Sequence, residues 1–177
     1  MDYIIQLIIK AILAILALPI PFIVGDSTTH EATEYAGYGS GWPGHGFVTG
    51  YAPEFVNPLE IPPADYEGPV VLAVSVWDHN SEDLTGYRDA TIHYNDLGYD
   101  VIWVEVPEYD EPLFVDLNAR VEETLGCELA DWRYRDVELQ DEVHPTTEGA
   151  IVLAHTLAVL AQEENLYCEI ANPPQGG

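Results

Sequence analysis

Beyond residue 69 the chain alternates between short apolar runs and longer segments of mixed polarity. The apolar runs Val70–Val76 and Val101–Val106 are nearly continuous, which is typical of strands that are covered on both faces. The segments Glu82–Leu97 and Val115–Leu125 follow these runs and are long enough to form helices. Strands and helices in this alternation predict a parallel sheet with right-handed crossovers, and hence a three-layer α/β/α sandwich.

Three weaker strands complete the predicted sheet. Ile20–Val24 is apolar and stops abruptly at Gly25, which predicts a short buried first strand. Gly46–Thr49 is a weak candidate for a second strand, within a stretch, Thr28–Pro69, that is otherwise rich in Gly, Pro and Tyr. Leu129–Trp132 predicts a short last strand. We therefore expect five strands in all.

A separate apolar segment precedes the first strand. Ile4–Leu18 is interrupted only by Gln6 and Lys10, so it predicts a helix that is apolar on nearly all sides and is buried in lipid or against protein. It has roughly fifteen residues, whereas a helix that spans a membrane needs about 20. It is compatible with a membrane anchor, a secretory signal, cleaved or uncleaved, or the stem of an oligomer. The last alternative rests on isoleucines in the 3-4-3 spacing of a coiled coil, at Ile5, Ile8, Ile12 and Ile15.

The length of the chain suits one domain with a single core, since it has 177 residues, of which 47% are hydrophobic. We divide it into an N-terminal hydrophobic helix at 1–18, an α/β domain at 19–168 and a C-terminal tail at 169–177. The hydrophobic helix joins the first strand at that strand's N-terminal end. The edge at which the strands end should therefore point away from whatever binds the helix.

Charge is the outlying feature of the composition. The chain has 31 Asp and Glu against 5 Lys and Arg, which gives a formal net charge of −26 at pH 7. A surface of this charge repels nucleic acid and anionic lipid, so we expect no nucleic-acid partner. The acidic surface either maintains solubility or adapts the protein to high salt, where dense carboxylates are screened. Because no loop has the Asp-x-Asp-x-Asp-Gly spacing of a calcium site, we expect no metal ion.

Two cysteines, Cys127 and Cys168, are too few for a zinc site or a disulfide framework. In the predicted fold, the helix before the last strand ends near Cys127, at the N-terminal edge of the sheet. The final helix runs down to the same edge and ends near Leu166, just before Cys168. A disulfide that fixes the C-terminal tail and a pair of free thiols are both open at this point.

A carboxylate and a histidine precede this final helix in an Asp-x-x-His-Pro motif. Pro145 fixes φ and either Thr146 or Thr147 can cap the helix, so His144 is expected on the loop just before the helix N-terminus. Asp141 is close enough along the chain to accept the Nδ1 proton of His144, which would leave Nε2 free as a base. The alternative is a surface pair that only caps the helix.

A nucleophile for such a base is found at the opposite end of the chain. Gly25-Asp26-Ser27 follows the predicted first strand and places a hydroxyl at the end of that strand. Open α/β sheets bind their ligands at this edge. Ser27 is therefore a candidate nucleophile, although serine in this position also serves as a helix cap.

An early Gly-Asp-Ser combined with a late Asp-x-x-His-Pro closely resembles the SGNH hydrolases, also called GDSL-type esterases. The resemblance extends over Pro19–Gln162, which is most of the chain. It implies a five-stranded, flavodoxin-like parallel sheet with strand order 2-1-3-4-5. It also implies a catalytic triad of Ser27, His144 and Asp141 that needs no cofactor.

SGNH hydrolases hold the oxyanion with the serine N–H, a glycine after the second strand and an asparagine after the third. For the glycine, Gly50 and Gly46 are both possible, and Gly50 is our choice. The third position departs from the family's Gly-x-Asn-Asp motif, since Asp78 and Asn80 lie near the expected asparagine. We favour Asn80, because a carboxylate at Asp78 would oppose the developing negative charge.

The resemblance implies a serine esterase that hydrolyses a short acyl ester, for example an acetyl ester, on a carbohydrate or lipid. In this reading Ser27 attacks the carbonyl, His144 takes and returns the proton, and Asp141 orients His144. The alternative is a weak or inactive member of the same fold that serves as a structural, receptor-binding or glycan-binding part of an envelope or virion assembly. The N-terminal helix would contact a membrane, further copies or that assembly, which implies a membrane-anchored, extracytoplasmic or virion location.

Screening should stabilise a chain of this charge. We expect the melting temperature to rise by several degrees between about 0.1 M and about 1 M NaCl, because the Debye length falls from about 10 Å to about 3 Å. Carboxylate repulsion in the folded state falls with it. Scanning fluorimetry measures the shift, and KCl controls for the identity of the ion. An unchanged or lower melting temperature in both salts contradicts the prediction.

Overall fold

A computed structural model of the chain describes residues 21–26, 61–106, 112–131 and 144–170. These residues form a mixed α/β fold around a three-stranded parallel sheet, in which the described strands follow one another in space in the order of the sequence. The strands, in spatial order, are β1 (Phe22–Val24), β2 (Val70–Ala73) and β3 (Val101–Val104).

Both faces of the sheet are buried. Every residue of β2 and β3 is at most 1% exposed, which explains why these strands have continuous apolar sequences. Ile23, Val71 and Ile102 pair in register across the sheet and contribute to the core on one face. Leu72 and Trp103 pair in the next row and contribute to the core on the opposite face.

Three helices cover these two faces. The helices α1 (Thr85–Asp96) and α2 (Pro112–Leu125) pack in the core cluster that contains Trp103. The helix α3 (Thr147–Leu160) packs in the other cluster, with Val71. The described chain therefore has helices on both faces of its sheet, as the alternating pattern predicts.

The helix boundaries differ from the sequence prediction by a few residues at their starts. α2 begins at Pro112, three residues before the predicted start, because proline is well accommodated in the first turn of a helix. Its end at Leu125 is as predicted, and Gly126 follows with a φ of 73°. α1 ends at Asp96, and Gly98 after it has a φ of 90°. Glycine adopts this left-handed conformation without the strain that a side chain would cause.

The described residues contain three strands, whereas the sequence predicted five. Gly46–Thr49 lies outside the described residues. Of the predicted last strand at Leu129–Trp132, the described residues show one parallel bridge, between Val104 and Ala130, and Trp132 lies outside them. The Ala130 N–H donates to Trp103 O at 2.7 Å.

The outer edge of β3 pairs with two different segments of the chain. Tyr167 forms an antiparallel bridge to Ile102, and the Cys168 N–H donates to Val101 O at 2.7 Å. The C-terminal segment thus occupies the first half of this edge, and only the second half is left for Ala130. Only an extension of this pairing before Ala130 would compete with Tyr167, and Trp132 lies outside the described residues.

Cys127 and Cys168 form a disulfide, with their Cα atoms 5.7 Å apart. Of the two alternatives that the sequence leaves open, the structure has the bridge. Cys168 is fully buried in the same core cluster as Trp103. The disulfide therefore fixes the C-terminal segment against β3 and the end of α2.

None of the helices in the described part of the chain has the length and apolarity needed to cross a membrane. The predicted hydrophobic helix at 1–18 lies outside the described residues, as does the tail from residue 171 onwards.

Reduction of the disulfide should destabilise the protein substantially. The bridge joins residues separated by 41 positions, and closing a loop of this size stabilises a fold by about 2–4 kcal/mol through the unfolded state. We expect the urea midpoint to fall accordingly on addition of reductant. A Cys127→Ser/Cys168→Ser variant should have the lower midpoint with or without reductant. A reductant effect that persists in this variant contradicts the assignment to the bridge.

Candidate functional site

The structure describes part of the predicted site. His144 and Asn80 lie within the described residues, whereas Ser27, Asp141 and Gly50 lie outside them. The alternative glycine, Gly46, also lies outside. The structure describes the residues that lead to Ser27 and those that follow β2, at the edge where the parallel strands end, here called the carboxyl edge.

The chain that leads to Ser27 is fixed at the carboxyl edge by a buried carboxylate. Asp26 follows β1 and is 2% exposed. Its Oδ2 accepts hydrogen bonds from Ser75 Oγ at 3.0 Å and from the Val76 N–H at 3.1 Å. Because Ser75 and Val76 follow β2, this one oxygen joins the ends of two neighbouring strands.

Val76–Asn80, after β2, forms a short 3₁₀ helix, here called the edge turn. Ser75 caps it, since its Oγ accepts the Trp77 N–H at 3.3 Å. The same Oγ donates to Asp26, so one hydroxyl both starts the edge turn and attaches it to the end of β1. The predicted strand Val70–Val76 therefore ends earlier than expected, at Ala73.

Asp78 is directed into the fold. It is 1% exposed, and its Oδ2 accepts the Tyr87 hydroxyl of α1 at 2.7 Å. The Tyr87 oxygen in turn accepts the Ser75 N–H at 3.2 Å. Burial, and next the negative charge of Asp78, raises the pKa of Tyr87 well above its usual value of 10.0. The hydroxyl therefore keeps its proton and remains a donor to the carboxylate.

Asn80 lies at the exposed end of the edge turn, next to His79. His79 Nδ1 is 2.8 Å from Val76 O, and His79 Nε2 is 2.5 Å from Asn80 Nδ2. A carbonyl oxygen only accepts, so the ring proton is assigned to Nδ1, and Nε2 accepts a hydrogen bond from Asn80. The Asn80 amide has a second N–H, which this contact does not use.

Arg120 attaches the edge turn to α2. Its Nη1 donates to His79 O at 3.2 Å, and its Nη2 donates to Ser81 O. Asp116, one helical turn earlier, is 3.6 Å from the same guanidinium. The edge turn is thus held from three sides, by β1 through Asp26, by α1 through Tyr87 and by α2 through Arg120.

His144 is half-buried and lies two residues before the cap of α3. The cap is Thr146, whose Oγ1 accepts the Gly149 N–H at 3.2 Å. The sequence left Thr146 and Thr147 open as caps, and Thr147 is instead the first residue of the helix. The predicted location of His144, on the loop before a helix N-terminus, is confirmed.

Ser75 and Tyr87 organise the carboxyl edge, although neither was predicted from the sequence as a residue of the site. Ser75 is the one polar residue in an otherwise apolar run, which is a usable signal for a buried hydrogen bond. Tyr87 lies on the buried face of α1 with Thr91 and Tyr94, and in the sequence this spacing indicates only that the residue belongs to the core.

Other sites in the described part of the chain are few. No group of three or more His, Cys, Asp or Glu is arranged there to hold a metal ion. A cavity of about 410 Å³ is lined by Tyr99, Asp100 and Glu169, among others. It lies at the opposite edge of the sheet, because Asp100 directly precedes β3.

Comparison with known proteins gives no match to any protein-family model, curated protein or solved structure. The function of this chain has therefore to be inferred from its own residues.

Loss of the Tyr87 hydroxyl should destabilise the fold. Tyr87→Phe removes one hydrogen bond from the Asp78 carboxylate and one from the Ser75 N–H, both buried. We expect the free energy of unfolding to fall by about 1–3 kcal/mol, as measured by urea denaturation. Tyr99→Phe, outside this network, is the matched control, and equal losses in the two variants contradict the prediction.

The same variant tests the response to alkali. Because the pKa of Tyr87 is raised in the folded state, the folded protein binds the phenolic proton more tightly than the unfolded chain does. The contribution of Tyr87 to the free energy of unfolding is therefore fully present below the unfolded pKa of about 10 and is lost as the pH rises above it. Tyr87→Phe should lose stability less steeply than the wild type above that pH.

Proposed function

We propose that the protein is a serine esterase of the SGNH type, which hydrolyses a short acyl ester, for example an acetyl ester, on a carbohydrate or lipid. One observation carries the proposal. The buried Asp26 carboxylate fixes the residue before Ser27 to the carboxyl edge, beside the edge turn that contains Asn80. A serine that follows a strand at this edge is well placed for a nucleophile.

The described sheet supports the five-stranded flavodoxin-like order as part of this proposal. In that order, β1, β2 and β3 are the first, third and fourth strands, which are spatial neighbours as observed. The Ala130 bridge then marks the fifth strand, beside β3. The second strand, at Gly46–Thr49, would pair with β1 on the side away from β2.

The direction of α3 supports a common location for His144 and Ser27. α3 has 14 residues and is therefore about 21 Å long. The chain that leaves its C-terminal end soon reaches Tyr167, which pairs with the first half of β3. The start of α3, with His144 before it, is thus directed towards the edge where β1 ends and Ser27 follows.

The proposed reaction is acyl transfer to serine followed by hydrolysis. Ser27 Oγ attacks the ester carbonyl while His144 Nε2 takes its proton, and the tetrahedral intermediate collapses as His144 returns that proton to the leaving alcohol. Water, deprotonated by His144, then releases the acid and regenerates Ser27. Asp141 accepts a hydrogen bond from His144 Nδ1 and fixes the tautomer throughout.

The oxyanion donors in this proposal are the N–H groups of Ser27 and Gly50 and the side chain of Asn80. Asn80 is preferred over Asp78, because the Asp78 carboxylate is buried against Tyr87. The hydrogen bond from Asn80 to His79 would orient the amide, and the second N–H would serve the oxyanion.

The alternative function is a binding or structural role in an envelope or virion assembly, in a protein of this fold that is weakly active or inactive. One observation favours it, which is that the residues after β2 depart from the Gly-x-Asn-Asp motif and that Asp78 is buried against Tyr87. In either case the hydrophobic helix at 1–18 is proposed to contact a membrane, further copies or the assembly.

Ester hydrolysis tests the proposal directly. We expect the protein to hydrolyse 4-nitrophenyl acetate and to react with a fluorophosphonate probe. Ser27→Ala and His144→Ala should each lower kcat by about 10⁴-fold or more, and Asn80→Ala by about 10²–10³-fold. His155→Ala, in the helix that follows His144 and outside the proposed triad, should retain activity.

A folded wild-type protein that neither hydrolyses the ester nor reacts with the probe would favour the binding role. Circular dichroism of each variant separates loss of catalysis from loss of folding.

A further inference from the structure

Trp77 differs from the other aromatic residues that the structure describes. It is 44% exposed, whereas the remaining aromatic side chains in the described ranges are buried or half-buried. A fully apolar environment is the usual place for an indole, since the ring has a large hydrophobic area. Here the ring is left at the carboxyl edge, where open α/β sheets bind ligands.

The exposure of Trp77 follows from how the edge turn is held. Its neighbours Val76 and Asp78 are both buried, and both are fixed by hydrogen bonds, to Asp26 and Tyr87 respectively. The Trp77 N–H is itself bonded to Ser75 Oγ. The backbone of Trp77 is therefore constrained from both sides while the indole is exposed. Binding of a ligand then costs little backbone entropy. A preorganised group of this kind binds more tightly than a mobile one.

The polar groups near Trp77 along the chain define the ligand that it suits. Asn80 and Glu82 are exposed and offer an amide and a carboxylate, whereas Asp83 Oδ1 already accepts two hydrogen bonds from Thr85. The net charge of −26 disfavours an anionic ligand. An aromatic face accompanied by hydrogen-bond acceptors suits a neutral ring with one apolar face and several hydroxyls.

We propose that Trp77 binds a neutral sugar ring by stacking, with Asn80 Oδ1 and the Glu82 carboxylate accepting hydrogen bonds from the hydroxyls. The substrate assignment rests on the proposed esterase function, in which this ring is the alcohol part of the ester. The acyl group is then small, and the specificity comes from the sugar. Binding of the ring itself does not depend on catalysis.

Binding can be measured without turnover. Methyl β-glucopyranoside is titrated into full-length Ser27→Ala, and the indole N–H signal of Trp77, identified by its loss in Trp77→Phe, is followed by NMR. We expect this signal to shift. The affinity, measured in both variants by isothermal titration calorimetry, should fall by about tenfold or more in Ser27→Ala/Trp77→Ala, equivalent to about 1.4 kcal/mol. Leu97→Ala is the matched control, because Leu97 is equally exposed, at 44%, and lies at the end of α1. No shift of the Trp77 signal, or equal affinity with and without Trp77, overturns the proposal.

Kinetics test the role in the proposed reaction. For an acetylated methyl glucoside, Trp77→Ala should raise KM by about tenfold with kcat unchanged, whereas the kinetics with ethyl acetate should not change. Trp77→Phe should restore most of the loss. If Trp77→Ala instead impairs 4-nitrophenyl octanoate and not the acetylated glucoside, Trp77 binds the acyl chain and the proposal is wrong. If the wild type hydrolyses no ester, the esterase proposal fails, and the glucoside titration decides the role of Trp77 alone.

Discussion

The two hydrogen bonds to Asp26 Oδ2 are the constraint on which the carboxyl edge depends. A carboxylate that is 2% exposed is tolerated only when its oxygens are hydrogen-bonded. Its donors, Ser75 Oγ and the Val76 N–H, both come from the chain that leaves β2. Satisfying Asp26 therefore fixes where β1 ends relative to β2 and stops the extended chain after β2. The edge turn and the exposed position of Trp77 follow from that.

Two further groups extend this constraint to the helices. The Tyr87 hydroxyl connects α1 to both Ser75 and Asp78, and Arg120 connects α2 to the carbonyls of the edge turn. Each helix is thus tied to the carboxyl edge by hydrogen bonds as well as by apolar packing. Polar networks of this kind specify a single arrangement when their members are satisfied. A rigid edge is a suitable scaffold for binding and for catalysis.

The sequence predicted those features that depend on local pattern. The apolar runs located β2 and β3, because a strand that is buried on both faces needs no polar alternation. Pro145, with a cap at either Thr146 or Thr147, located the start of α3 and with it His144. The pairing of Tyr167 and Cys168 with β3 depends on residues far apart in the chain, so it was not predicted. The Cys127–Cys168 bridge was left open for the same reason, and the contacts of Ser75 and Tyr87 were missed.

The disulfide also determines whether a single cut in the backbone separates the chain into two fragments. It closes a covalent ring that contains α3, His144 and the segment 132–143. A protease that cuts this ring once leaves both fragments joined through Cys127 and Cys168, and β3 stays covered by the segment that contains Tyr167. Disulfides persist in oxidising surroundings such as the cell exterior, where proteases are also encountered. There, the backbone beside the proposed catalytic histidine can be nicked without the molecule coming apart.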